Sequence, residues 1–487
     1  MSTCSLVFLA FCCLVAIVLQ LLPGKLLRHV LLSAINVAFL WPLVPNLWSW
    51  LWFVFFIGAT YSIIRMTTPG TSASQLGIAL GMMIFAFICL KGYLLAWMGE
   101  MLSYKLFGPL YWFNGYGTRA ADLVGLSYML FKFIHVAVDR WQNQSAPCNF
   151  ITYANYQLSF FTLVAGPIQR YNDFHQYWEA IDRPVAGTRQ TLLAWSRILT
   201  GMIKMGAIAP IFYAMFEQAK TSFAPQPTAS LVERFAVWFY AYPFYMYFNF
   251  AGYTDVVIGA AKLLGFDLPE NFDRPFLARN IVDFWNRWHI TLTHWIRDYV
   301  FMTSYKAVAE RFPKAGKYLG YGLLFGSLLL AGVWHGATPG YAVFGAIHGL
   351  GAAAGRAYGD AMKFLLGRGG MQLYLKSKLI HAAAVVATFH FVCFSFLFFS
   401  SGGKAVTILG SVFSRLRTPL NSGPSFQPEL LPLLGLLPWL AATWQPRAQR
   451  TSLLCLAVLL KTILVVLLFC WLWASEQKDP VVIYMRF

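Results

Sequence analysis

The sequence predicts an all-α protein that crosses a membrane many times, on three observations. Of 487 residues, 58% are hydrophobic and 11% carry a charge, with a mean hydropathy of +0.57, far too apolar for a soluble globular chain. Apolar runs of span length recur from one end of the chain to the other. The basic residues are scattered through the segments between those runs, where loops meet water.

Taken in order, the first apolar run is Leu6–Leu22. The Met1–Ser5 segment before it holds no Lys or Arg, and no small-residue cleavage site follows, so the run reads as a retained helix and not a signal peptide. Lys25 and Arg28 come directly after it, which by the positive-inside rule places that loop in the cytoplasm and the N-terminus outside. Further candidate spans are Leu31–Val44, Trp48–Ile64, Leu76–Met98, Tyr156–Ile168, Leu192–Phe216 and Phe235–Leu264. Leu319–Val333, Tyr341–Gly355, Leu379–Phe399, Leu430–Trp444 and Leu453–Ala474 complete the series, roughly a dozen in all, some short enough to be tilted or re-entrant. Arg447 and Arg450 precede the last span, and Glu476, Lys478 and Asp479 lie beyond it. The C-terminus is therefore expected outside as well, with an even number of crossings of the cytoplasmic (inner) membrane. Lys461 sits inside that last span and is expected to snorkel toward its cytoplasmic end.

The Gly/Pro/Ser-rich stretch Ser422–Gln427 is the best boundary along the chain. It divides a core of residues 1–420 from a transmembrane hairpin, 421–475, and an extracytoplasmic tail, 476–487. No internal repeat stands out, nor do paired interrupted helices in two halves, which weakens a transporter reading.

The net charge of +18 would point to nucleic acid in a soluble protein. Here the cations are loop anchors, so no nucleic-acid partner is expected, although a basic cytoplasmic face attracts an acidic partner or an anionic donor. Most of the 8 cysteines lie inside apolar runs, and neither a CxxC pair nor Cys/His metal spacing occurs. Packing is their expected role, and no metal site is expected.

The segment Asn271 to Phe301, NFDRPFLARNIVDFWNRWHITLTHWIRDYVF, differs from a plain span. On a helix, Trp285, Trp288, Leu292, Trp295 and Tyr299 form one apolar stripe, with Asp283, Arg287, His294 and Asp298 opposite. Asn286, His289 and Thr293 fall on the border, where a side chain reaches a polar cleft. Asp283 and Arg287, four apart in acid-before-base order, are placed to pair. About one span later comes GVWHG, Gly332 to Gly336, whose glycines let a backbone or substrate approach His335 closely. A neutral imidazole is inexpensive to bury compared with a charge and moves protons near neutral pH. His335 taken alone fits either a buried tie between helices or a functional group; His348, in AIHG, fits a structural role better.

These motifs occur together with GLSYMLFKF (Gly125–Phe133), AGPIQRY (Ala165–Tyr171) and FNFAGYTD (Phe248–Asp255). The set, running in order from Gly125 to Gly349, resembles the membrane-bound O-acyltransferase (MBOAT) family. RDYVFM at Arg297–Met302, continuing into MTSYKAV where a PLGG segment would mark the alginate-acetylase-like branch, is closer to the DltB-like D-alanyl-transfer branch. The resemblance implies tilted helices around a funnel or tunnel, with His335 as principal catalytic residue and His289 as the second family histidine near the cytoplasmic mouth. Trp334, Trp285, Trp288, Asn286 and Arg287 around them are the candidate substrate-binding residues.

The tail Asp479–Phe487 ends in IYMRF. It resembles the FxYxxF tail of the small single-span partner of D-alanyl-transfer enzymes, with Val482 where the first Phe is expected. By that resemblance Tyr484 is a candidate acyl relay and Phe487 its apolar anchor; an interfacial aromatic anchor is the plain alternative. A phenol of unperturbed pKa about 10 needs a base such as His335 to attack, and the resulting aryl ester passes its acyl group on more readily than an alkyl ester. The expected function is movement of an acyl group from a cytoplasmic thioester, on an acyl carrier protein or coenzyme A, to an extracytoplasmic acyl-accepting transferase. The thioester is a substrate, and no bound cofactor is expected. D-alanyl transfer onto a cell-envelope polymer is favoured, with acetyl transfer to an exported polysaccharide as the alternative. A polytopic transporter or non-catalytic scaffold is the alternative of another class.

Overall fold

The computed structural model describes residues 6–44, 47–90, 125–181, 187–221, 228–336, 338–402, 404–416 and 451–474. Among these the secondary structure is helical, apart from one isolated antiparallel bridge between Phe272 and Trp288. In chain order the helices are α1 (Leu6–Leu21), α2 (Lys25–Leu40), α3 (Leu47–Met66), α4 (Ala73–Leu90), α5 (Leu126–Trp141) and α6 (Phe150–Leu158). Next come α7 (Tyr171–Glu179), α8 (Thr188–Ile203), α9 (Ala209–Thr221), α10 (Thr228–Leu263), α11 (Ile281–Trp285) and α12 (Ile290–Ile296). The last are α13 (Met302–Arg311), α14 (Gly316–Trp334), α15 (Pro339–Lys376), α16 (Lys378–Ser401), α17 (Lys404–Leu416) and α18 (Thr451–Ala474).

Four helical stretches among the described residues are long and apolar enough to cross a bilayer: Ser49–Met66, Thr188–Lys220, Gly316–Trp334 and Lys378–Ser401. The second joins α8 and α9 through a π-helical turn at Lys204–Ile208, so the expected span Leu192–Phe216 is one long helix. Leu430–Trp444, the Ser422–Gln427 boundary and the 476–487 tail lie outside the described residues. The expected span Tyr156–Ile168 is not a helix. α6 ends at Leu158, and Ser159 to Gln169 runs as buried non-helical chain. Hydropathy does not separate a span from irregular backbone enclosed by protein, which is allowed at membrane depth when its polar groups find partners. Here Lys132 donates to the Tyr156 and Gln157 carbonyls at 2.8 and 3.4 Å and to Thr162 Oγ1 at 2.8 Å. Asn36 accepts from Phe160 N, and Tyr156 donates its hydroxyl proton to Gln169 O at 2.6 Å.

Close helix contact depends on glycine at several places. Along α8 and α10 a Cβ on Gly201 would lie 2.5 Å from Gly252 O, and along α14 and α15 a Cβ on Gly332 would lie 2.4 Å from Tyr341 O. α8 and α10 are also joined by charge, Asp255 accepting from Arg197 at 3.0 Å and from Lys204 at 2.7 Å. Lys461 of α18, expected to snorkel, donates to Ser196 Oγ and Thr200 Oγ1 of α8, at 3.0 and 2.8 Å.

Candidate active site

The central segment breaks where the periodicity predicts an unbroken amphipathic helix. α11 is capped by Asn280, whose side chain accepts from Asp283 N at 2.8 Å, and it ends after five residues. His289 then takes left-handed backbone angles, φ 44° and ψ 52°, before α12 begins. Long-range pairing holds the break: Asp273 N donates to Arg287 O at 2.9 Å and Ile290 N to Asn271 O at 3.0 Å. A strip of NFD backbone thus lies antiparallel to the WNRWHI turn and takes up the groups the helix leaves unbonded.

The break changes where the predicted side chains point. His289, expected on a polar border, is 1% exposed, with the Phe250 ring 4.9 Å away edge-on. Trp285, Trp288, Leu292 and Trp295 are buried as the stripe requires. Trp288 is a core side chain among Phe272, Phe284 and Phe396. The expected Asp283–Arg287 pair forms at 2.8 Å. Burial alone would raise the Asp283 carboxyl, but Arg287 and the Arg279 N–H outweigh it and hold it below the ordinary carboxylate range. Arg287 is engaged there and on Asp273 O, at the outer edge of the turn, and is not brought beside the histidines.

His335 follows the last residue of α14 and is 6% exposed. Its ring lies 4.7 Å from Trp334, 5.0 Å from Phe399 and 6.0 Å from Tyr341. Trp334 packs on Phe131 of α5 at 5.3 Å, and Phe131 in turn touches Trp295 at 4.5 Å. The GVWHG corner is thereby fixed against both GLSYMLFKF and the α12 turn. A continuous series of ring contacts runs from His289 through Phe250, Phe272, Trp288, Phe396 and Phe399 to His335. The two buried histidines that the sequence places 46 residues apart therefore stand on one aromatic cluster.

His348 has the structural geometry expected of it. Trp285 Nε1 donates to its Nδ1 at 3.2 Å, so its proton resides on Nε2, which faces Ser395 Oγ at 2.7 Å. Trp285 and Asn286 also line a cavity of about 460 Å³ between α11, α12 and the α13–α15 helices. Thr293, Ser327 and Leu328 line it too, Arg297, Lys317 and Arg356 contribute cations, and Asp360 contributes a carboxylate 3.4 Å from Lys317. Leu328 lies seven residues before His335, about 10 Å along a helix rising 1.5 Å per residue. Tyr484 and Phe487 lie outside the described residues.

Two residues at the site went unremarked in the sequence. Asn271 is fully buried, and its Oδ1 faces His289 Nδ1 at 3.2 Å, Thr291 N at 3.2 Å and Thr291 Oγ1 at 2.8 Å. Thr291 Oγ1 accepts from Ile168 N, in AGPIQRY, at 3.0 Å. An Asn opening the motif is the one sequence signal that could have found it.

Comparison with known proteins shows what the chain is similar to. The family model "MBOAT, membrane-bound O-acyltransferase family" matches residues 109–369. A teichoic acid D-alanyltransferase of Bacillus subtilis is 33% identical over 293 residues, 57% of this chain and 69% of that protein. A probable alginate O-acetylase of Pseudomonas syringae is 33% identical over 242 residues, covering 48% of this chain and 43% of its own length. A peptidoglycan O-acetyltransferase of Helicobacter pylori is 30% identical over 217 residues, 44% of this chain and 39% of that protein. The chain thus spans about two thirds of the D-alanyltransferase and less than half of either acetylase. With more than half its length inside the family match, and both motif histidines buried on one aromatic cluster, the chain belongs to the membrane-bound O-acyltransferase family.

Proposed function

We propose that the chain takes an acyl group, D-alanyl in the favoured reading, from a carrier-protein thioester at the cytoplasmic side and hands it to an extracytoplasmic acceptor that O-acylates a cell-envelope polymer. The observation that carries this reading is the pair of buried imidazoles on one aromatic cluster, with a cavity lined by Trp285, Asn286 and three cations between the neighbouring helices. His335 removes the proton from an attacking hydroxyl, whose oxygen bonds to the thioester carbonyl carbon. The tetrahedral adduct collapses by breaking the C–S bond, and the departing sulfur takes the proton back from the imidazolium, giving ester and free thiol. Aromatic walls exclude water that would otherwise hydrolyse the thioester.

The cavity beside Trp285 and Asn286 suits the donor's arm, with Arg297, Lys317 and Arg356 attracting an anionic group at its outer end. Both termini would lie outside the cytoplasmic membrane. The attacking hydroxyl is Tyr484, which passes the group to a partner transferase. Acetyl transfer to an exported polysaccharide is the second reading, supported by the acetylase names among the relatives. The purified protein in lipid vesicles, given labelled D-alanyl carrier or labelled acetyl-CoA, separates the two. Transfer from the carrier alone supports the first, transfer from acetyl-CoA alone the second, and transfer from neither refutes both.

A further inference from the structure

We infer that Asn271 is a positioning residue that fixes His289 in the Nδ1–H form, leaving Nε2 as the nitrogen through which His289 accepts a proton or hydrogen bond. Three donors meet one oxygen. The backbone N–H of Thr291 can only donate, and it faces the Asn271 side-chain atom at 3.2 Å, so that atom is the amide oxygen and not the nitrogen. The Thr291 hydroxyl already accepts from Ile168 N, which leaves its own proton to donate to the same oxygen at 2.8 Å. His289 Nδ1 faces that oxygen at 3.2 Å, and an acceptor there requires the ring proton on Nδ1.

The orientation has a cost, which shows that it is imposed. Asn271 is 0% exposed, and its Nδ2 finds no hydrogen-bond partner among the described residues. A buried donor left without a partner is destabilising. Turning the amide over to relieve it would set an NH2 group against the Thr291 N–H and remove the acceptor from His289. The left-handed backbone at His289 and the pairing of Ile290 N with Asn271 O hold the two residues in this register. The bonds converge on the amide oxygen, Ile168 N donating to Thr291 Oγ1 and the Thr291 hydroxyl to Asn271 Oδ1 from one side and His289 Nδ1 donating from the other, so AGPIQRY bears on the histidine's proton through Thr291 and Asn271.

The inference deepens the acyltransfer reading and rests on it for the use of Nε2, but the tautomer is measurable without turnover. The full chain in lipid nanodiscs, with ¹⁵N-labelled histidine and the His289 signals assigned by their loss in His289→Gln, should show a protonated Nδ1 and an unprotonated Nε2. In Asn271→Ala that preference should disappear, with kcat for acyl release falling at least about tenfold and the KM for donor thioester little changed. Asn271→Asp keeps the shape and the acceptor and adds a negative charge, which favours the imidazolium. The low-pH limb of its rate profile should move up by about one pH unit or more if transfer needs His289 unprotonated, and should stay in place if His289 takes no part in the reaction. A wild-type His289 protonated on Nε2, or an Asn271→Asp profile identical to wild type, overturns the inference even if transfer is normal. Absence of wild-type transfer from any thioester, with the Nδ1–H form present, instead refutes the acyltransfer reading and leaves the tautomer assignment standing.

Discussion

Gly332→Ala tests whether the helix crossing next to His335 sets catalytic geometry. The added Cβ would lie 2.4 Å from Tyr341 O, 2.6 Å from Gly345 Cα and 2.7 Å from Gly345 N. Non-bonded carbons settle at roughly 3.5–4.0 Å, so the overlap is about 1 Å. All three obstacles are backbone and cannot rotate aside. α14 and α15 must separate by about that distance, and His335 moves with them because its N–H is bonded to Gly332 O at 3.0 Å. Overpacking of this kind costs roughly 1–3 kcal/mol, while a shift of about 1 Å at a reacting group costs on the order of 100-fold in rate. The expected result is a folded protein with kcat down about 100-fold in the vesicle transfer assay. Gly326→Ala is the control on the same helix: its Cβ meets nothing within 4 Å, and activity should be unchanged. Full activity in Gly332→Ala would show that the close approach does not position the histidine.

His335→Ala should reduce transfer by roughly 10²–10⁴-fold or more with little change in expression or melting, and His289→Ala should reduce it less; normal turnover by His335→Ala would end the proposed mechanism. Lys461→Met keeps the side-chain stem and removes the hydrogen bonds to Ser196 and Thr200. It should weaken docking of α18 on α8 by roughly 1–3 kcal/mol, read as faster labelling of a cysteine at the α8-facing surface of α18, and unchanged labelling would show that apolar packing alone holds the helix. Tyr484→Phe removes only the hydroxyl. Incubated with donor and no acceptor, the wild type should gain one acyl group on its C-terminal peptide and the variant none by intact-mass analysis; an active, unacylated variant would return the tail to an interfacial anchor.

The two histidines were legible because an imidazole in a Trp-rich apolar stretch has few cheap explanations. The Asp283–Arg287 pair was legible because four-residue spacing is a local rule. The break at His289 was not, because apolar spacing continues across it from Trp285 to Trp295 as though the helix did. What stops the helix is pairing with Asn271–Asp273, a contact across the Pro275–Ala278 turn that no local period encodes. The buried non-helical chain after α6 escaped for a related reason, since its hydropathy is that of a span. What makes it allowable, Lys132 and Asn36 from other helices, becomes visible only when the chain is folded.

The separated motifs are better understood as parts of one aromatic cluster than as separate signatures. AGPIQRY reaches His289 through Thr291 and Asn271. It is also tied to the far end of the broken helix, where Arg170 pairs with Asp298 at 2.8 Å and lies 4.6 Å over the Tyr299 ring. GLSYMLFKF accepts the Trp295 indole proton at Phe131 O, 3.0 Å away, and supports Trp334 with the same residue's ring. FNFAGYTD supplies Phe250 against His289 and Asp255 to the α8–α10 ion network. Apart from the ion pairs of Arg170 and Asp255, each connection is a hydrogen bond or a ring contact ending within a few residues of a histidine, so the motifs constrain one another through proton positions and ring packing. Substitutions at Ile168, Thr291 and Asn271 should therefore not add: once Asn271 is lost, the Thr291 hydroxyl has nothing left to orient, and a second change there should cost little further activity.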